Sequence, residues 1–128
     1  MTVVVDASSV AAYLLGEASD GERDALLGEP HAPCLVDVEV TQTLRGLLRG
    51  GTIHLATADV ARSELGELGV RRHPDVPLLR RAWELRDVAT TYDALYVALA
   101  EALDAPLHTR DGRLARGVRG LVDVRLTA

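Results

Sequence analysis

The chain opens on three consecutive valines, Val3-Val4-Val5, with no polar residue between them. An unbroken β-branched run is the pattern of a strand covered on both faces, as in a parallel sheet sandwiched by helices. Asp6 follows it, and Ser8 or Ser9 can cap a helix through Val10, Ala11, Tyr13, Leu14 and Leu15 that Gly16 closes. Ser19 and Glu22 have the spacing of a capping box, which predicts a second helix as far as Gly28. Pro30-His31-Ala32-Pro33-Cys34 is too rich in proline for a central strand and reads as a spacer, either a short edge strand or an extended link. From Leu35, the residues Val38, Val40, Leu44, Leu47 and Leu48 recur with helical spacing until Gly50-Gly51 stops the run.

A further helix is expected from Thr57, as cap, to Leu68, and Val70-Arg71-Arg72-His73 reads as a short strand broken by Pro74. Asp75 and Pro77 open a helix that runs to about Val88 and carries Trp83 at a spacing typical of core. Thr90-Thr91 caps a nearly all-apolar helix to Leu103, which must be buried. Pro106-Leu107-His108-Thr109 is a strand, a one-turn helix follows around Leu114, and Val122, Val124 and Leu126 alternate as a closing strand. Strands alternating with helices predict an α/β fold, a three-layer α/β/α sandwich with a mostly parallel central sheet in one domain over residues 1–128. The order of the strands is not contained in this pattern.

With 48% hydrophobic residues, a chain of this length can bury a core without disulfides or a structural metal. Cys34 has no second cysteine to pair with and no ligand-spaced His or Cys after it, which argues against zinc and against a secreted disulfide framework, and a reducing cytoplasm is expected. No basic leader and no apolar run of membrane-spanning length is present. The net charge of −5 counts against a nucleic-acid partner unless several of the acids are gathered to hold a divalent cation, whose charge then faces a phosphate. All 14 basic residues are Arg.

Four acids stand out by position. Asp6 and Asp111 each follow a strand, while Glu39, between Val38 and Val40, and Asp93, in the first turn of the apolar helix, interrupt stretches otherwise built for burial. Each alone has an ordinary reading: a helix cap for Asp6, a turn before Gly112 for Asp111, a dipole partner for Asp93, a helix-boundary position facing solvent for Glu39. Together they describe a pocket of carboxylates that would repel one another without a hard cation such as Mg²⁺ or Mn²⁺. Asp37 points about 200° away from Glu39 around the helix and does not share that pocket. Such a metal suits phosphodiester hydrolysis.

The opening Val-Val-Val-Asp6-Ala-Ser-Ser, the segment Val38-Glu39-Val40, the run from Thr91-Tyr92-Asp93-Ala94 to Ala100, and Thr109-Arg110-Asp111-Gly112-Arg113-Leu114 resemble the PIN-domain ribonucleases of the VapC toxin type over essentially the whole length. The resemblance implies that Asp6, Glu39, Asp93 and Asp111 form an acidic Mg²⁺ or Mn²⁺ site with the hydroxyls of Ser8 and Thr109 beside it. It further implies RNA cleavage, a homodimer and inhibition by a cognate antitoxin protein. Arg110, Arg113 and Arg116 fall on one helical face, placed either to meet an RNA backbone near the metal or simply to face solvent. Tyr92 and Tyr96 offer platforms for base stacking, although Tyr96 has the neighbours of a core residue. The four histidines show no mutual spacing and receive no role. The competing readings are an RNA-processing protein and a catalytically silent interaction module. A phosphotransfer domain acting through Asp6 is disfavoured, because position 8 is Ser where a second Asp would be needed. There is no Gly-rich phosphate loop followed by Lys.

Overall fold

The computed structural model describes residues 1–127. Five strands, β1 (Thr2–Val5), β2 (Glu29–Pro33), β3 (Arg71–His73), β4 (Leu107–Thr109) and β5 (Val124–Leu126), form one sheet in the order β3-β2-β1-β4-β5. Every pairing is parallel. Successive valines of β1 point to opposite faces, and Val3, Val4 and Val5 are all buried, so both faces of the sheet are covered. Among the described residues seven α-helices supply the cover: α1 (Ala7–Leu14), α2 (Asp20–Leu27), α3 (Leu35–Arg49), α4 (Leu55–Leu65), α5 (Leu79–Glu84), α6 (Thr91–Leu103) and α7 (Gly112–Gly117). Helices α2 and α3 pack on the sheet with α1 and α4 beside them, whereas α6 lies across β1, β2 and β4 with α5 on its flank. Residues 94–100 of α6 are buried without exception.

The topology decides where chemistry can occur. From β1 the chain moves outward to β2 and β3, then returns through α6 to place β4 on the other side of β1. The crevice where strand order reverses, outside the carboxyl ends of β1 and β4, is the usual ligand site of an open parallel sheet. Asp6 leaves β1 at that crevice, and Arg110 and Asp111 leave β4 there.

Several local expectations are corrected. The proline-rich segment 30–34 is not a spacer: β2 is an interior strand between β1 and β3. Pro30 precedes the stretch of β2 that β3 flanks and Pro33 ends the strand, so neither missing N–H interrupts the middle of a ladder. Helix α4 starts two residues before Thr57, with His54 in the cap position and no side-chain cap bond. The helix expected from Pro77 to Val88 is a 3₁₀ turn (Val76–Leu78) followed by the short α5. Trp83 is not core but 68% exposed, with the Arg86 guanidinium 4.9 Å over its ring. Among the described residues no helix is long and apolar enough to cross a membrane.

Candidate active site

Asp6 is the best-held side chain of the crevice. Its extended backbone ends β1, and Oδ1 accepts the amides of Ser8 at 2.9 Å and Ser9 at 3.3 Å, capping α1. The cap is thus Asp6 itself and not Ser8 or Ser9. Ser8 instead donates its hydroxyl to Asp6 Oδ1, and Thr109 donates its own to Asp6 Oδ2. Both hydroxyls also accept from the turn after β4: Ser8 Oγ takes the Arg110 amide at 3.1 Å, and Thr109 Oγ1 takes the Asp111 amide at 3.0 Å. Two hydroxyl bridges therefore tie the Asp6 carboxylate to the turn that carries Asp111. Asp6 is only 7% exposed, and burial pushes its pKa up despite these donors.

The other three acids arrive from separate elements. Asp93 sits in the first turn of α6, where its amide donates to the capping Thr90 hydroxyl at 3.2 Å. Burial raises its pKa first, and the charges of Asp111 and Asp6 add to the effect while Arg113 opposes it. Glu39 projects from α3 and accepts the Tyr96 hydroxyl on Oε1 at 2.7 Å, which leaves Oε2 outside that bond. Burial raises the Glu39 pKa, and Asp93 and Asp6 raise it further. Asp111 is exposed and caps α7, its Oδ1 accepting the amides of Arg113 at 2.9 Å and Leu114 at 3.2 Å. All four acids line one cleft of about 630 Å³ whose apolar wall includes Leu15, Leu35, Val38 and Tyr92.

This donor set fits a hard divalent cation. It is made of carboxylate oxygens alone, and two of its members are held above their ordinary pKa partly by their acidic neighbours, a repulsion that a cation removes. Among the described residues no three such side chains stand close enough to close on one ion as they are placed. Mg²⁺ does not demand that, since it is commonly held by one or two carboxylates together with water and a substrate phosphate.

The arginine face expected over residues 110–116 does not form. Arg110 lies before α7, and its guanidinium is committed to Glu22, with Nε to Oε2 at 2.8 Å and Nη2 to Oε1 at 2.6 Å. Arg116 turns back toward Gly112 and lines a separate hollow with Arg119, whereas the charge of Arg113 opposes the rise at Asp93. Asp37 is engaged by a two-point ion pair with Arg72, at 2.8 and 2.9 Å, and stays out of the cleft.

Two partnerships had no signal in the sequence. Tyr96, 1% exposed, is both core and the donor that orients Glu39; the two are 57 positions apart and only the tertiary fold unites them. His31 and His73 share a hydrogen bond of 2.8 Å from Nδ1 to Nε2, stacked across β2 and β3, away from the cleft.

The chain matches the family model described as PIN domain over residues 3–119. It is 42% identical over 115 residues to a VapC ribonuclease of Mycobacterium bovis (strain ATCC BAA-935 / AF2122/97), covering 88% of each chain. Its identity to ribonuclease VapC1 of Mycobacterium tuberculosis (strain ATCC 25618 / H37Rv) is 45% over 116 residues, 88% of this chain and 87% of the relative. Among solved structures, PAE2754 from Pyrobaculum aerophilum superposes with a TM-score of 0.68 at 25% identity, covering 96% of this chain and 83% of that one. VapBC2 from Rickettsia felis, bound to a DNA fragment from its promoter, superposes with a TM-score of 0.64 at 13% identity over the whole of both chains, a likeness of fold. Matched along nearly its full length in sequence and fold, the chain belongs to the VapC ribonuclease family of PIN domains.

Proposed function

We propose that this chain is a Mg²⁺- or Mn²⁺-dependent endoribonuclease, the toxin of a toxin–antitoxin pair. The observation that carries the reading is the arrival of four acids from four elements, β1, α3, α6 and the turn after β4, on one cleft at the switch point of a parallel sheet. Kinship with ribonucleases named VapC supports RNA as substrate, and the resemblance to the VapC toxin type implies a cognate antitoxin and a homodimeric state.

Asp6, Glu39, Asp93 and Asp111 would hold the ion, which when bound lowers the pKa of a coordinated water and neutralises charge on the phosphoryl group in transfer. Asp6 contributes the least mobile oxygen, since four donors orient its carboxylate. Glu39 presents Oε2 while Tyr96 holds Oε1. Arg113 offsets the negative field at Asp93, which favours the approach of a polyanion. The exposed ring of Tyr92, on the lip of the cleft, offers a sequence-tolerant surface for an unpaired base.

Asp93→Asn keeps the size of the side chain and removes its charge. Cleavage of single-stranded RNA in Mg²⁺ or Mn²⁺ is expected to fall by about a hundredfold or more, with the circular dichroism spectrum unchanged. Cleavage at the parent rate by this variant overturns the assignment.

A further inference from the structure

We infer that Arg110 is a positioning residue for Asp111 and not an RNA contact: clamped by the buried Glu22, it holds the turn that delivers Asp111 to the acidic cleft. The inference rests on the proposed reading of Asp111 as part of the metal site. Asp111 needs such a mount because packing does not supply one. Its side chain is exposed, and α7, which it caps, is a helix of six residues and too short to hold itself.

The mount is polar and has three anchors. Arg110 grips both oxygens of Glu22, its Nη2 also donates to the Glu17 carbonyl at 2.9 Å, and its backbone amide is held by Ser8. Glu22 in turn is fixed by its place in α2, where Oε1 accepts the Ser19 amide at 2.9 Å as half of a capping box. That carboxylate is 0% exposed, and among the described residues Arg110 is the cation that forms a salt bridge with it. To meet a phosphate, the guanidinium would have to leave a buried anion uncompensated, which is strongly unfavourable. A planar, two-point grip also fixes the direction of the side chain in a way a point charge does not. The turn is thereby tied to α1 through Ser8 and to α2 through Glu22, both at Arg110, the residue before Asp111.

The two readings of Arg110 respond oppositely to Glu22→Gln. If Arg110 contacts RNA, the substitution frees the guanidinium and removes a negative charge, so affinity for RNA rises. If Arg110 is a clamp, the turn loosens. The measurements are native-state amide exchange at Arg113 and Leu114, whose N–H groups report the Asp111 cap directly, and calorimetric binding of Mn²⁺ alone. In Glu22→Gln and in Arg110→Met the two amides are expected to exchange about tenfold faster, with Val97 in α6 unchanged, and Mn²⁺ affinity to fall about tenfold. The double variant is expected to be no worse than either single one, and Arg110→Lys, which restores the charge without the fork, to lie between. Should Glu22→Gln not fold, Arg110→Lys carries the same test. Exchange at the parent rate in the folded variants, or an equal rise at Val97, overturns the clamp. Tighter binding of a labelled single-stranded RNA by Glu22→Gln overturns it as well. If the parent protein binds no Mn²⁺, the metal reading of Asp111 fails while the exchange result still decides the clamp.

Discussion

Asp6 and Asp111 occupy the same local setting in two parts of the molecule. Each follows a strand, each adopts extended backbone, and each caps the next helix by accepting two amides on Oδ1. Their surroundings are opposite. Asp6 is buried behind three valines and held by two hydroxyls, whereas Asp111 stands in solvent on a six-residue helix. One acid is positioned by the core and the other by a network of polar ties reaching to Glu22. A cleft built in this way has a rigid wall and an adjustable one, and the two are joined through Ser8 and Thr109.

The largest test of that contrast is removal of each carboxylate. Asp6→Ala loses the cap and leaves the buried Thr109 hydroxyl, and that of Ser8 on the cleft wall, without an acceptor, so stability measured in urea is expected to fall by about 3 kcal/mol. Asp111→Ala gives up a cap that water can replace, and a loss of about 1 kcal/mol or less is expected. Equal losses would show that the turn after β4 is as much a part of the core as the end of β1.

Charge sharpens the same contrast. Asp6, Glu39 and Asp93 titrate above their ordinary values in the fold, so the native chain holds their protons more tightly than the unfolded chain does. Their contribution favours folding below the unfolded carboxylate pKa, near about 4, and is lost as pH rises through the folded values. Glu22 works in the other direction. Burial alone would raise it, but the Arg110 guanidinium and the Ser19 amide hold it down at about 2, so its stabilisation is present at neutral pH and is lost only as pH falls from about 4.5 toward that value. Glu39→Gln, which keeps an acceptor for Tyr96, is therefore expected to raise stability at pH 7 by something on the order of 1 kcal/mol or less. The gain should shrink as pH approaches 4. A variant less stable than the parent at pH 7 would mean that the pocket acids are not in conflict.

How much of this could be read from residues alone follows from how local each feature is. The strand at Val3-Val4-Val5, the capping box of Ser19 and Glu22, and the buried helix after Thr90 are set by neighbours within a few positions, and each forms as expected. The prolines of β2 mislead because their cost depends on which neighbour strand they face, and the short β3 flanks only residues 31–33. Trp83 misleads because α5 lies on the outside of α6, a fact of layer order and not of spacing. The four acids could be singled out because each interrupts or ends an apolar run. The groups that hold them, Tyr96 for Glu39 and Arg110 with Glu22 for Asp111, look ordinary in sequence and gain their roles only through contacts 57 and 88 positions long.

The bond from Thr109 to Asp6 spans 103 positions, and it joins two strands that are neighbours in the sheet. Closing so long a loop costs entropy before any contact made by β4 repays it, so the pairing of β1 with β4 belongs late in folding. During synthesis Asp6, Glu39 and Asp93 all leave the ribosome before the strand that locks the first of them and the turn that brings Asp111. An incomplete nascent chain therefore carries three of the four acids but no assembled cleft, which closes only when β4 (Leu107–Thr109) and the turn after it have emerged and paired with β1.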